Sequence, residues 1–185
     1  MRQILILSAM LSLLASTPST ADETIAADWT LTDPDGQAVH LQEEVEAQAT
    51  ILLFWATWCP YCKALLPHLQ SIRLEYGDRV KILAINFRED GDPVAFINDS
   101  GYEVTLLLNG DDVAELYDIY GTPGVILLDE NRVIHFDLRQ LPRSEPREIS
   151  ESKSHKRKAA YRAPYWAAEI RKSLDSLIAE QYRAP

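Results

Sequence analysis

The stretch TILLFWA from Thr50 runs directly into TWCPYCKALLP, and this junction constrains the chain more than any other feature. An unbroken apolar run of that length fits a strand covered on both faces, which exists only inside a layered domain. Pro60 stands just inside the next element, where a helix tolerates proline best. Leu65, Leu66, Leu69 and Ile72 then follow at helical spacing, with Pro67 expected to kink the helix. A buried strand followed at once by an amphipathic helix is the opening unit of an α/β fold.

The rest of the chain extends that reading. DWTLTDPDGQAVHL reads as two short strands around Asp33-Pro34-Asp35-Gly36. VKILAINF, from Val80, is a second buried strand, and a short helix is expected from Asp92-Pro93 to Gly101. EVTLLLN follows as a strand, DDVAELYDIYG as a helix closed by Gly121, and GVILLD with NRVIHFD as a hairpin around Asp129-Glu130-Asn131. The 185 residues, 46% of them apolar, suit one domain with a core that needs no staples.

Charge divides the molecule. Residues 22–137 hold 22 acidic and 6 basic side chains, whereas residues 138–185 hold 6 acidic and 11 basic ones. The acidic part repels phosphates and so argues against a nucleic-acid partner. Residues 138–162 read as a basic, solvated loop and residues 163–183 as a helix carrying Trp166, Ile170, Leu174, Leu177 and Ile178 on one stripe. The cluster Lys153, Lys156, Arg157, Lys158 and Arg162 is expected to lie against the acidic domain in preference to an anionic membrane, or to be a solvated loop.

At the N-terminus, MRQILILSAMLSLLASTPSTA carries Arg2, an apolar stretch from Ile4 to Ala15, and small residues at Ser19 and Ala21. The stretch falls short of the roughly 20 residues a bilayer-spanning helix needs. It reads as a signal peptide, residues 1–21, cleaved after Ala21, with an uncleaved inner-membrane anchor as the alternative. Export would place the chain where disulfides persist.

Cys59 and Cys62 are the only cysteines. They are too close to close a useful loop. At the start of a helix, Cys59 would face unpaired backbone N–H groups and the positive end of the helix dipole, which favour its thiolate. Cys62, one turn on, is placed to attack a mixed disulfide at Cys59. Cys59 is therefore the expected nucleophile and Cys62 the resolving thiol, with Pro60 and Tyr61 giving Cys59 little cover. A structural metal site needs about four ligands, and His40, His68, His135 and His155 stand at no useful spacing from the pair or from one another, so no metal is expected.

Residues 54–67, FWATWCPYCKALLP, resemble the active-site segment of the thioredoxin superfamily. DWTLTDPDGQAVHL looks like the N-terminal strands of its TlpA/ResA-like exported branch, GTPG from Gly121 matches the cis-proline loop, and DENRVIHF resembles the closing hairpin. The resemblance covers about residues 27–137. It implies a thioredoxin-like fold: a central mixed sheet flanked by helices, with an N-terminal β-hairpin extension and a C-terminal helix after a long basic loop. It implies a cis bond at Pro123, with Thr122 offering its backbone to an extended peptide; an ordinary trans turn is the local alternative. Trp58, Pro60 and Tyr61 would border the substrate, and Trp55 and Trp58 would serve packing more than chemistry. Two acidic positions common in the family are Leu53 and Leu65 here. In that branch a glutamate at the position of Glu89 lies near the cysteines, so Glu89 is expected either to handle a proton at Cys62 or to be a solvated acid beside Arg88 and Asp90.

The function so implied is a periplasmic thiol–disulfide oxidoreductase, a TlpA-like reductase of protein disulfides without a dissociable cofactor, fed by a DsbD-like membrane electron donor. The alternatives are a disulfide oxidase or isomerase, and a non-enzymatic metallochaperone or redox-gated binding module. Sequence alone does not give the direction of exchange, which depends on how strongly each redox state is stabilised.

Overall fold

The structure is a computed structural model that describes residues 24–45, 49–142, 145–181 and 183. The expected signal peptide, residues 1–21, lies outside the described residues. Thr30–Thr32 (β1) and Ala38–His40 (β2) form an antiparallel hairpin, turned by Asp33, whose carboxylate accepts from the amides of Asp35 and Gln37. Leu41–Glu44 (α1) adds a single helical turn. Ala49–Trp55 (β3), Val80–Asn86 (β4) and Thr105–Leu107 (β5) run parallel to one another. Gly124–Leu128 (β6) lies antiparallel to β3, and Ile134–Asp137 (β7) antiparallel to β6. The five-stranded mixed sheet thus has the order β5-β4-β3-β6-β7.

Every residue of β3 is buried because the strand is central and covered twice. Its odd-numbered side chains, Ile51, Leu53 and Trp55, join a core with Leu65, Leu69 and Ile72 of Pro60–Tyr76 (α2) and with Ile170 and Leu174 of His155–Gln181 (α6). Its even-numbered side chains, Leu52 and Phe54, meet Leu41, Val113 and Tyr117 on the opposite face. Side-chain alternation along one apolar run therefore builds two cores.

The short helices follow their caps. Asp92 accepts from the Ala95 amide to start Pro93–Ser100 (α3), and Gly101 ends it in the left-handed conformation, as its φ of 66° requires. Asp111–Leu116 (α4) is shorter than expected: it stops five residues before Gly121. Asp118 takes a positive φ of 54° there, and its turn satisfies the last helical carbonyls.

The C-terminal part departs most from expectation. Arg147–Ser150 (α5) is a helical turn within the expected loop, and α6 begins at His155 instead of residue 163. Its first turns pack through Ala159, Ala163 and Ala167, a face too small to register as an apolar stripe. The helix runs through Pro164, and α2 likewise runs through Pro67. The basic cluster makes no ion pair with the acidic domain among the described residues: Arg162 pairs with Glu145 of the same C-terminal segment while its guanidinium lies over the Tyr61 ring, and Lys153, Lys156, Arg157 and Lys158 form no ion pair. Lys156 and Arg157 stand exposed on the first turn of α6, and Lys153 is exposed just before it. Among the described residues no helix is long and apolar enough to cross a membrane.

Candidate active site at the start of the second helix

Cys59 is the N-cap of α2, and its Sγ accepts a hydrogen bond from the Cys62 amide at 3.1 Å. The sulfur thus sits where the helix presents unpaired N–H groups, a position that stabilises negative charge once the bond is reduced. The two cysteines are joined as a disulfide with Cα atoms 5.3 Å apart. They are 1% and 0% exposed. Leu53, Trp55, Leu65 and Leu66 belong to the same core cluster, so the floor of the site is apolar. Leu53 and Leu65 confirm physically what their identity implied: no acid lies at either position.

Three loops, after β3, after β4 and before β6, are tied together around the pair. Trp58 is 48% exposed, and its indole N–H donates to the Arg88 carbonyl at 2.7 Å. The Arg88 guanidinium in turn donates to the Tyr120 carbonyl at 2.8 Å, two residues before Thr122. Arg88 itself takes a positive φ of 49°. The Thr122–Pro123 bond is cis. Thr122 and Pro123 share a cavity wall with Tyr61, so the C-x-x-C loop and the proline turn face one space.

Glu89 belongs to this belt. Its carboxylate accepts from the Thr57 amide (2.9 Å) and hydroxyl (2.5 Å), from Asn86 Nδ2 (2.6 Å), and from the amides of Asp90 (3.0 Å) and Gly91 (2.9 Å). Partial burial pushes its pKa up, but the Thr57, Asn86 and Gly91 hydrogen bonds outweigh that and hold it at about 2. Among the described residues it makes no hydrogen bond to either cysteine. The solvated-acid alternative does not describe Glu89: these hydrogen bonds make it a clamp that fixes the loop two residues before Cys59. Sequence reading missed Thr57 and Asn86. The one available signal was Asn86, the polar residue that ends the apolar run Ile82–Ile85.

On the other side, Tyr61 is held by the C-terminal segment. Its hydroxyl lies 3.2 Å from His155 Nδ1, its ring is 6.1 Å from that of Trp166, and the Arg162 guanidinium stands 5.4 Å from its centroid. None of these partners was legible, because they lie about 100 residues away in sequence. Among the described residues no cluster of three side chains suited to a metal forms. The arrangement can hold a thiolate at Cys59, present a second sulfur within bonding reach, and receive a chain beside Pro123.

Comparison with known proteins supports the same chemistry. The model of the AhpC/TSA family matches residues 23–136. The thiol-disulfide oxidoreductase ResA of Halalkalibacterium halodurans is 31% identical over 57% of this chain and 61% of its own length. The thioredoxin-like protein YneN of Bacillus subtilis is 27% identical over 59% of this chain and 66% of its own length. The chain therefore spans under two thirds of the curated relatives it matches. A crystal structure of a hypothetical protein from Sinorhizobium meliloti superposes with a TM-score of 0.62 at 23% identity, covering 85% of this chain and 84% of that one, which shows the shared fold.

Proposed function

Because the chain belongs to the AhpC/TSA family, we propose that it is a thiol–disulfide oxidoreductase of TlpA-like type that reduces protein disulfides in the periplasm. The observation that carries the reading is the Cys59 sulfur at the N-cap of α2, bonded to Cys62. In the reduced protein the Cys59 thiolate attacks one sulfur of a substrate disulfide. A mixed disulfide forms and the other substrate sulfur leaves as a thiolate that takes a proton. Cys62, after losing its proton, attacks the Cys59 sulfur, releasing the second substrate thiol and closing Cys59–Cys62. Two electrons pass to the substrate, and a dithiol donor, a membrane protein of the DsbD kind, must return them. The names of the relatives ResA and YneN support exchange chemistry and thioredoxin-like character. The N-terminal sequence supports export, with cleavage after Ala21.

Thr122 and Pro123 then form the ledge along which an extended substrate segment adds as a strand. The test is trapping. Cys62→Ser should accumulate mixed disulfides with partner proteins to a large fraction of the chain, visible on non-reducing gels, and Cys59→Ser should accumulate none. The reverse pattern, or no adduct with either variant, would exchange or remove the roles given to the two sulfurs. The reduction potential of the pair decides direction: a value near that of thioredoxin, about −270 mV, fits a reductase, and one near −120 mV an oxidase.

A further inference from the structure

A cavity of about 590 Å³ lies beside the redox pair, between the proline turn and the C-terminal segment. Tyr61, Pro123, Pro142, Tyr161, Tyr165 and Trp166 face it. Its volume falls in the range of pockets that bury a ligand or part of a chain. One wall belongs to the C-x-x-C loop itself, through Tyr61. The opposite wall belongs to α6, which lies outside the family-matched residues 23–136. Tyr161 and Tyr165 are one turn apart on that helix and so project to the same side.

The cavity also carries polar side chains. Arg139 lines it, and Arg162 pairs there with Glu145, whose side chain is only 10% exposed.

We propose that this cavity is a specificity subsite that seats an aromatic side chain flanking the substrate cysteine in an extended segment of a partner protein. The proposal rests on the exchange reading above. Two observations select this occupant. The cavity adjoins the Thr122–Pro123 turn, where an added strand would lie. Four aromatic rings and two prolines stand in its walls beside Arg139, Glu145 and Arg162, and such rings favour another ring packed offset or edge-on. Family-matched residues provide only the near wall, so the selectivity is a property of this chain's own C-terminal segment.

The test uses the Cys62→Ser chain and short peptides of one sequence, with Tyr, Phe, Leu, Ala or Asp beside the single cysteine. Each peptide is offered as a mixed disulfide with thionitrobenzoate. Attack by Cys59 on the peptide sulfur forms the peptide mixed disulfide and expels thionitrobenzoate, whose absorbance gives the rate. The Tyr and Phe peptides should react about tenfold faster than the Leu and Ala peptides, the scale of one well-seated ring. That ratio should fall to about twofold or less in Tyr161→Ala, a substitution at a 42% exposed position that should leave the thermal unfolding transition in place. Equal rates for all peptides overturn the subsite while leaving exchange intact. A rate highest for the Asp peptide overturns it too, in favour of the basic surface at the start of α6. No reaction with any peptide or with hydroxyethyl disulfide would remove the exchange reading itself.

Discussion

Glu89 illustrates how far one carboxylate can organise a site without touching the reacting atoms. Thr57 gives it two hydrogen bonds and Asn86 one, so the loop leading to Cys59 is fastened to the end of β4. Its depressed pKa converts into a pH dependence of known sign. The unfolded chain titrates near 4.5 and the folded one at about 2, so the stabilisation is present above pH 4.5 and is lost as pH falls towards 2. With allowance for its partial exposure, the contribution is about 1–2 kcal/mol. Glu89→Gln should lower stability by that amount at pH 7, and the gap from the parent should close as pH falls below 4.5, measured by urea unfolding across the acid range. A gap that stays constant down to pH 3 would show that the carboxylate charge is not what the clamp uses. The position was legible from sequence through the family resemblance. Its role was not, because the donors come from Thr57, 32 residues back, and from a geometry that only the β3–β4 pairing creates.

Among the elements, α6 separates what patterning shows from what it hides. Large residues at Ile170, Leu174 and Leu177 announced the second half of the helix, and the strands announced themselves by apolar runs that needed no partner to be recognised. The first two turns of α6, residues 155–162, bury only Ala159, too small a side chain to mark a helical stripe, so that part read as loop. The single turns α1 and α5 were equally invisible, since four residues carry no period. If α6 completes the core over α2, then Leu174→Ala, at a fully buried position, should cost about 2–4 kcal/mol in chemical denaturation. Leu74→Ala on the outer face of α2, where the side chain is 65% exposed, should cost less than about 0.5 kcal/mol. Similar small losses at both sites would mean that α6 is an appendage and that the far wall of the cavity is not held in place by the core.

At the scale of the whole molecule, the acidic body and the basic C-terminal segment meet through the pairs Arg171–Glu75 and Arg139–Asp137, and the cluster at residues 153–162 adds no further pair with that body. Arg162 turns inward to Glu145, while Lys153, Lys156, Arg157 and Lys158 pair with nothing among the described residues. Exposed charges of this kind are screened within about 10 Å at ordinary ionic strength and contribute little to folding. Replacing those four residues with glutamine should therefore shift unfolding free energy by less than about 0.5 kcal/mol, at low and at high salt alike. Arg162→Gln should behave differently. It strands the Glu145 carboxylate in a buried position and removes the guanidinium from the Tyr61 ring, at a cost of about 1–3 kcal/mol that salt barely alters, since the pair is shielded from solvent. Chemical denaturation of the two variants at both ionic strengths separates the cases. A salt-dependent loss in the four-residue variant would return the basic cluster to the surface of its own acidic domain, and a loss in neither would mean that the Glu145–Arg162 pair does not hold the C-terminal segment against the redox loop.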